Sequence, residues 1–207
     1  GPEAKAKPSR VARDITIRGV GFRDAGYTYM NPHGMPGGGD WALQSPQYDE
    51  SGAVYLSGTE NVSFDGCVFK YLDGNGVYVA GYNRDTTIKN TELTQIGDSP
   101  IALWGYTEGK DPLQPAGTGI DGSKGLQPRG VNISGNLCHE YGFHQKQSSC
   151  VFLAKSVDVD ITGNVAFNGA RAHINQNDVS WLLLINSLRT PLPGIWYGAP
   201  ACSKRYV

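Results

Sequence analysis

The sequence is short of charge: Asp, Glu, Lys and Arg make up only 18% of its 207 residues, and 18 basic side chains against 19 acidic ones leave a net charge of -1. No cluster of Lys or Arg is present to follow a phosphate backbone, so nucleic acid is not an expected partner. Long apolar runs are missing too. The longest, Trp181 to Ile185, falls well short of the roughly 20 residues that cross a bilayer, so no membrane span is expected. No window holds apolar residues at i, i+3, i+4 and i+7 over three turns, which removes amphipathic helices as the building block. Cysteine is scarce: Cys67, Cys138, Cys150 and Cys202 lack the close CxxC spacing of a zinc or redox site and are expected as buried free thiols. Neither a metal nor a cofactor is expected.

Glycine, by contrast, is abundant, at 28 residues. With so little charge the chain is rich in turns without the composition of a disordered one, and its length suits a single domain. It begins Gly-Pro-Glu-Ala-Lys, with neither an initiator Met nor a charged-then-apolar leader, so the numbering is expected to start inside a longer protein.

A short motif recurs in which an apolar residue is followed two positions later by Gly or Asn and five positions later by another small or apolar residue. Its copies are Ile17-Arg-Gly19 to Phe22, Phe64-Asp-Gly66 to Phe69, Ile88-Lys-Asn90 to Leu93, Ile133-Ser-Gly135 to Cys138, and Ile161-Thr-Gly163 to Ala166. The starts lie 47, 24, 45 and 28 residues apart. That spacing reads as one unit repeated five times with two insertions. The first surplus, Tyr29 to Tyr48, contains Asn31-Pro-His-Gly-Met-Pro-Gly-Gly-Gly-Asp40; the second runs from Thr107 to Pro128. Both have loop compositions, and loops inserted on a solenoid commonly shape its binding face.

After each motif comes a turn and a third apolar stretch, beginning near Gly52, Gly76, Pro100, Ser149 and Arg171. Three short strands per repeat, alternating with period 2 and punctuated by Gly, Asn and Asp, predict a right-handed parallel β-helix with about five coils over residues 11–178. Aligning the third strands by their first residues puts Ala53, Val77, Ile101, Cys150 and Ala172 inside the tube, with Tyr55, Val79, Leu103, Phe152 and Ile174 inside two positions on. The outward ladders would then be Val54, Tyr78, Ala102, Val151, His173 and Leu56, Ala80, Trp104, Leu153, Asn175.

Segments such as Gly39-Asp-Trp-Ala-Leu43, Leu72-Asp-Gly-Asn-Gly76, Ile101-Ala-Leu-Trp-Gly105 and Gln127-Pro-Arg-Gly130 resemble the right-handed parallel β-helix, pectin lyase-like superfamily, in a branch of mostly uncharacterised repeat proteins. The resemblance implies further coils after Asp178. Here the chain instead continues Val179-Ser-Trp-Leu-Leu-Leu without a repeat. Residues 179–207 are therefore expected to be a tail that truncates the solenoid, either read-through of a retained intron or a divergent cap, while residues 1–10 form an N-terminal segment.

The turns into the third strands carry the candidate acids Asp24, Asp73, Asp98 and Glu140. Glycoside hydrolysis uses two carboxylates about 5 to 9.5 Å apart, and stacked coils about 4.8 Å apart bring Asp73 and Asp98 within that range. His139 and His144 bracket Glu140, and His173 is expected on the outer face of the next coil, a possible acid-base cluster. Tyr78, Trp104, Tyr82 and Tyr106 would offer flat rings to the C–H faces of sugars, with a second small core under a loop as the competing reading. Asn75, Arg171 and Asn175 are the polar candidates for substrate contact. Asp and Asn in Gly-flanked turns also commonly bond their own backbone.

The expected function is that of a monomeric carbohydrate-active protein at or outside the cell surface, acting on a polysaccharide or glycan. Hydrolysis is preferred to elimination because acids outnumber bases in the aligned turns. The alternative is a non-catalytic glycan-binding or structural solenoid. Much of the carbohydrate reading comes from the resemblance in fold. Asn61-Val-Ser63 and Asn132-Ile-Ser134 would be glycosylation acceptors in a chain exported by a eukaryote.

Overall fold

The short strands and two-residue turns build one continuous winding. The structure, a computed structural model, describes residues 10–26, 52–105, 126–177, 180–185 and 196–197. The first coil contains β1 (Ala12–Arg18), β2 (Gly21–Arg23) and β3 (Gly52–Leu56), and the second β4 (Thr59–Asp65), β5 (Val68–Leu72) and β6 (Asn75–Ala80). The third is β7 (Asn83–Lys89), β8 (Glu92–Ile96) and β9 (Ile101–Trp104), and the fourth β10 (Pro128–Ser134), β11 (Leu137–Tyr141) and β12 (Ser149–Ala154). The fifth is β13 (Val157–Thr162), β14 (Val165–Gly169) and β15 (Ala172–Asn177). With β16 (Ser180–Ile185) and β17 (Trp196–Tyr197), all pairings among the described residues are parallel and sort the strands into three sheets, β1-β4-β7-β10-β13-β16, β2-β5-β8-β11-β14 and β3-β6-β9-β12-β15-β17. The chain is a right-handed parallel β-helix.

Two of these strands, β16 (Ser180–Ile185) and β17 (Trp196–Tyr197), belong to the segment expected to fall outside the solenoid. β16 pairs with β13 and aligns Leu184 with Ile161, while β17 pairs with β15. Backbone pairing thus continues past Asp178. An apolar run with no visible repeat motif can still add a rung, because a parallel rung needs only free backbone N–H and C=O groups on the edge below.

The repeat motif marks the register. Ile17, Phe64, Ile88, Ile133 and Ile161 occupy one ladder of the first sheet. Phe22, Phe69, Leu93, Cys138 and Ala166 occupy one ladder of the second. The members from Phe64 and Phe69 onward are at most 2% exposed. Each large apolar side chain sealed in this way contributes roughly 1.5–3 kcal/mol. Phe22 and Phe69 stack with ring centroids 4.5 Å apart.

Between those ladders the chain turns in two residues in every coil, through Gly19, Gly66, Asn90, Gly135 and Gly163, all at φ of 52° to 63°. That left-handed conformation is one that Gly adopts without a Cβ penalty and Asn tolerates, which is why the motif demands Gly or Asn. In the third, fourth and fifth coils the next residue is buried and forms a polar ladder. Thr91 N–H donates to Asn136 Oδ1 at 3.0 Å and Asn136 N–H to Asn164 Oδ1 at 2.9 Å. Asn136 Nδ2 donates to Ile88 O and Asn164 Nδ2 to Ile133 O, both at 2.8 Å. Buried turn backbone has no water to bond, and these side chains take its place.

The third sheet corrects the alignment made by first residues. Its register pairs Val54 with Val77, Val77 with Ile101, Ile101 with Val151 and Val151 with Ile174. The inner positions in the second and third coils are as expected, but the first and fourth coils are shifted by one. Tyr55 and Phe152 therefore face outward, and Val54 and Val151 inward. The turns before these strands differ in length, so register is fixed by backbone bonds such as Gly76 N–H to Ser99 O and Val77 N–H to Pro100 O, not by the residue that opens the strand.

The outer face of this sheet is a second small core. Tyr78, Ala80, Ala102, Trp104, Phe152 and Ala154 cluster there, with Tyr78 and Trp104 each 1% exposed. Cys138 and Cys150 are joined in a disulfide with Cα atoms 6.0 Å apart, which corrects the expectation of free thiols. Cys67 is free and buried, as expected; Cys202 lies outside the described residues.

Candidate functional site

At the end of each second-sheet strand sits a further left-handed residue, giving the column Asp24, Tyr71, Gln95, Glu140 and Asn168 at φ of 52° to 58°. None is glycine, so each carries some backbone strain. The chain leaves the sheet here. The turn that follows is two residues long after β5 and after β14, four after β8 and seven after β11. The uneven turns leave a cleft of ≈ 360 Å³ lined by Tyr71, Leu72, Asp73, Gln95, Gly97, Phe143 and His144.

Three successive coils contribute to it. Asp73 comes from the short turn after β5, and His144 from the long turn after β11; His144 Nε2 lies 3.8 Å from Asp73 Oδ1, with both side chains about half exposed. Gly97 lies between them. A Cβ there would come within van der Waals radii of both Asp73 O and His144 Cδ2, so glycine is what allows the two turns to converge. The long turn is tied to the preceding coil by His144 N–H and Gln145 N–H, both donating to Gly97 O at 2.9 Å.

Two walls of the cleft are aromatic. Phe143 is 51% and Tyr71 43% exposed, high values for rings of this size. Lys70 Nζ lies 4.7 Å and Arg23 Cζ 5.6 Å from the Tyr71 ring centroid. Gln95 also lines the cleft, though its Oε1 is buried and accepts no hydrogen bond.

Asp98 is not part of this lining. It is 3% exposed, and burial pushes its carboxyl up to about 7 against the opposing effect of hydrogen bonds from Ser99. The expected pair of carboxylates, Asp73 and Asp98, therefore does not share one accessible site: adjacent coils bring the turns together, but the extra residues after Gly97 carry the Asp98 side chain inward. Glu140 follows Gln95 in the left-handed column and accepts from Asn168 Nδ2 at 2.7 Å on the solvent side. His139 stands away from the cleft, stacked on Phe167 and within 3.0 Å of Glu92 Oε1.

His173 is a second correction. It is 6% exposed, not projecting into solvent, and its Nδ1 lies 2.7 Å from Tyr141 Oη. Tyr141 donates its own proton to Ala172 O at 3.1 Å. The tyrosine oxygen therefore accepts from His173 Nδ1–H, which leaves Nε2 as the bare nitrogen. Burial lowers the His173 pKa and raises that of Tyr141, in each case favouring the neutral form.

No family model, no curated protein and no solved structure matches this chain. The site has to be read from its own geometry.

The aromatic surface expected at Tyr78 and Trp104 is closed, since both rings belong to the second small core. Tyr82 is 9% exposed; its hydroxyl donates to Glu60 Oε1 at 2.8 Å, and Arg84 lies over its ring. Tyr106 lies outside the described residues. Asn75 is buried, with Oδ1 accepting Ser99 N–H at 3.1 Å, a turn-bonding role. Arg171 donates to Gln147 Oε1. Asn175 is 1% exposed, with neither amide atom hydrogen-bonded. Of the expected catalytic set, Asp73 and His144 alone line the cleft. Sequence reading missed Tyr71, Gln95, Gly97 and Phe143. Gly97 directly precedes Asp98, and Phe143 directly precedes His144, but neither neighbour reveals which turns converge.

Proposed function

We propose that this protein binds carbohydrate in the cleft between Tyr71 and Phe143, as an exported β-helix of the pectin lyase-like kind. The carrying observation is two exposed rings flanking a half-exposed carboxylate in one cleft. Pyranose C–H faces pack on flat π systems, while hydroxyl groups donate to Asp73. The Cys138–Cys150 disulfide supports an oxidising compartment.

The Asp73–His144 contact favours a second reading, cleavage of the bound glycan. In that reading the imidazole exchanges a proton with the substrate while the carboxylate orients it. Two-carboxylate hydrolysis through Asp73 and Asp98 is not supported, because Asp98 is sealed.

A glycan array followed by calorimetry on the best binder tests both readings. Asp73→Asn and Phe143→Ala should each weaken binding about tenfold or more, a change of about 1.4 kcal/mol. New reducing ends or unsaturated products that disappear in His144→Gln would establish cleavage. Array silence, or variants that bind as the parent does, would remove the cleft assignment.

A further inference from the structure

Cys138 sits in the inner ladder of the second sheet between Leu93 and Ala166, and Cys150 is the second residue of β12. Both are at most 2% exposed. Between them runs the seven-residue turn 142–148, the longest of the described turns between the second and third sheets. This turn carries Phe143 and His144, one aromatic wall of the cleft and one member of its polar pair.

We propose that the Cys138–Cys150 disulfide is the positioning device of the cleft, closing the neck of this turn so that Phe143 and His144 are held against Asp73. Backbone hydrogen bonds also tie the turn to the coil before it. Gly142 N–H donates to Ile96 O at 2.8 Å, and His144 and Gln145 N–H share Gly97 O. These bonds converge on two carbonyls of one neighbouring coil, whereas the disulfide joins the two ends of the turn covalently. The neighbouring coils have turns of two and four residues here and place Phe69, Leu93 and Ala166 at the rung of Cys138 with no covalent link. Among the described residues the cross-link occurs at the one coil whose turn is long and lines the cleft. Packing alone fills the same ladder elsewhere, so the bond's distinctive contribution falls on the turn it closes.

The inference rests on the reading of this cleft as the binding site, but its test needs no ligand. In the full chain, amide hydrogen exchange is compared for the parent, Cys138→Ala/Cys150→Ala and Cys67→Ala. The last removes a buried cysteine from another coil and controls for loss of core volume. The expected result is exchange at Gly142, His144 and Gln145 faster by about tenfold or more in the double variant alone, with first-sheet amides such as Ile88 and Ile161 unchanged. Unchanged turn amides, or acceleration spread evenly over all coils, would show that the bond stabilises the solenoid without positioning the turn. If the glycan reading fails while the turn amides still respond, the positioning role stands and the ligand class must be sought again.

Discussion

The turn between the first and second sheets and the turn between the second and third sheets face each other across the same five coils, and they obey different rules. The first is two residues long in every coil, always opens with Gly or Asn at positive φ, and hides a polar ladder of Thr91, Asn136 and Asn164. The second varies from two to seven residues in the coils that line the cleft, and it carries Asp73, Asp98 and His144. Repetition lets each coil satisfy its neighbour's backbone, so identical turns stack without leaving a donor unpaired. Unequal turns do not stack, and the space they leave is the cleft.

The largest expected effect tests the uneven side. Asp98 is an acid whose folded pKa, about 7, lies above its ordinary 3.8. The folded state therefore holds a proton that the unfolded chain releases. Its contribution is fully present below about pH 4 and is lost as pH rises through about 7, on the order of 4 kcal/mol across the window. Asp98→Asn should abolish that decline, leaving a variant more stable than the parent at pH 8 in urea unfolding. His173 has the opposite sign: its lowered pKa costs stability as pH falls through its ordinary 6.5. A parent protein with no loss of stability between pH 4 and 8 would contradict the buried placement of Asp98.

Next comes the even side. Asn136→Ala removes the acceptor for Thr91 N–H and the donor to Ile88 O, both buried. The cost should be about 3 kcal/mol by denaturant unfolding, because stranded buried polar groups cost about 1–3 kcal/mol each. A cost below 1 kcal/mol would mean that the ladder is incidental to the stack.

The same contrast explains what could be read in advance. The spacing from Ile17 to Phe22 and its four echoes carried the fold, because inner ladders and left-handed turns restrict residue type at fixed intervals. The first two sheets were legible to the residue. The third sheet was not, because its register is inherited from turns of unequal length, and there Tyr55 and Phe152 were misplaced by one. The site was legible in part: Asp73 and His144 sit in turns that composition singles out. Gly97 and Gln95 matter through what approaches them from other coils. Tyr78 and Trp104 stayed open between a sugar-facing surface and a second small core, because alternation along a strand says which face a ring occupies and nothing about what covers that face.

A smaller effect separates conformation from contact. Gly66 occupies the left-handed position of the first turn, and a Cβ built there meets nothing within 4 Å. Gly66→Ala should cost about 1 kcal/mol through backbone conformation alone. Gly66→Asn should cost less, since Asn90 holds φ of 52° in the same column. Equal costs in thermal unfolding would refute the account of the motif.

The smallest expected effect on stability belongs to a residue expected to matter for binding. Asp73 is about half exposed and faces a similarly exposed His144 at 3.8 Å, an arrangement in which water screens most of the attraction. Asp73→Asn should therefore shift unfolding by less than about 0.5 kcal/mol. The same change removes the only carboxylate lining the cleft among the described residues, so glycan affinity should fall while the unfolding curve stays in place. If stability fell with affinity, Asp73 would be holding the turn together, and the distinction between stacked turns that maintain the fold and unequal turns that build a site would fail at the coil where it matters most.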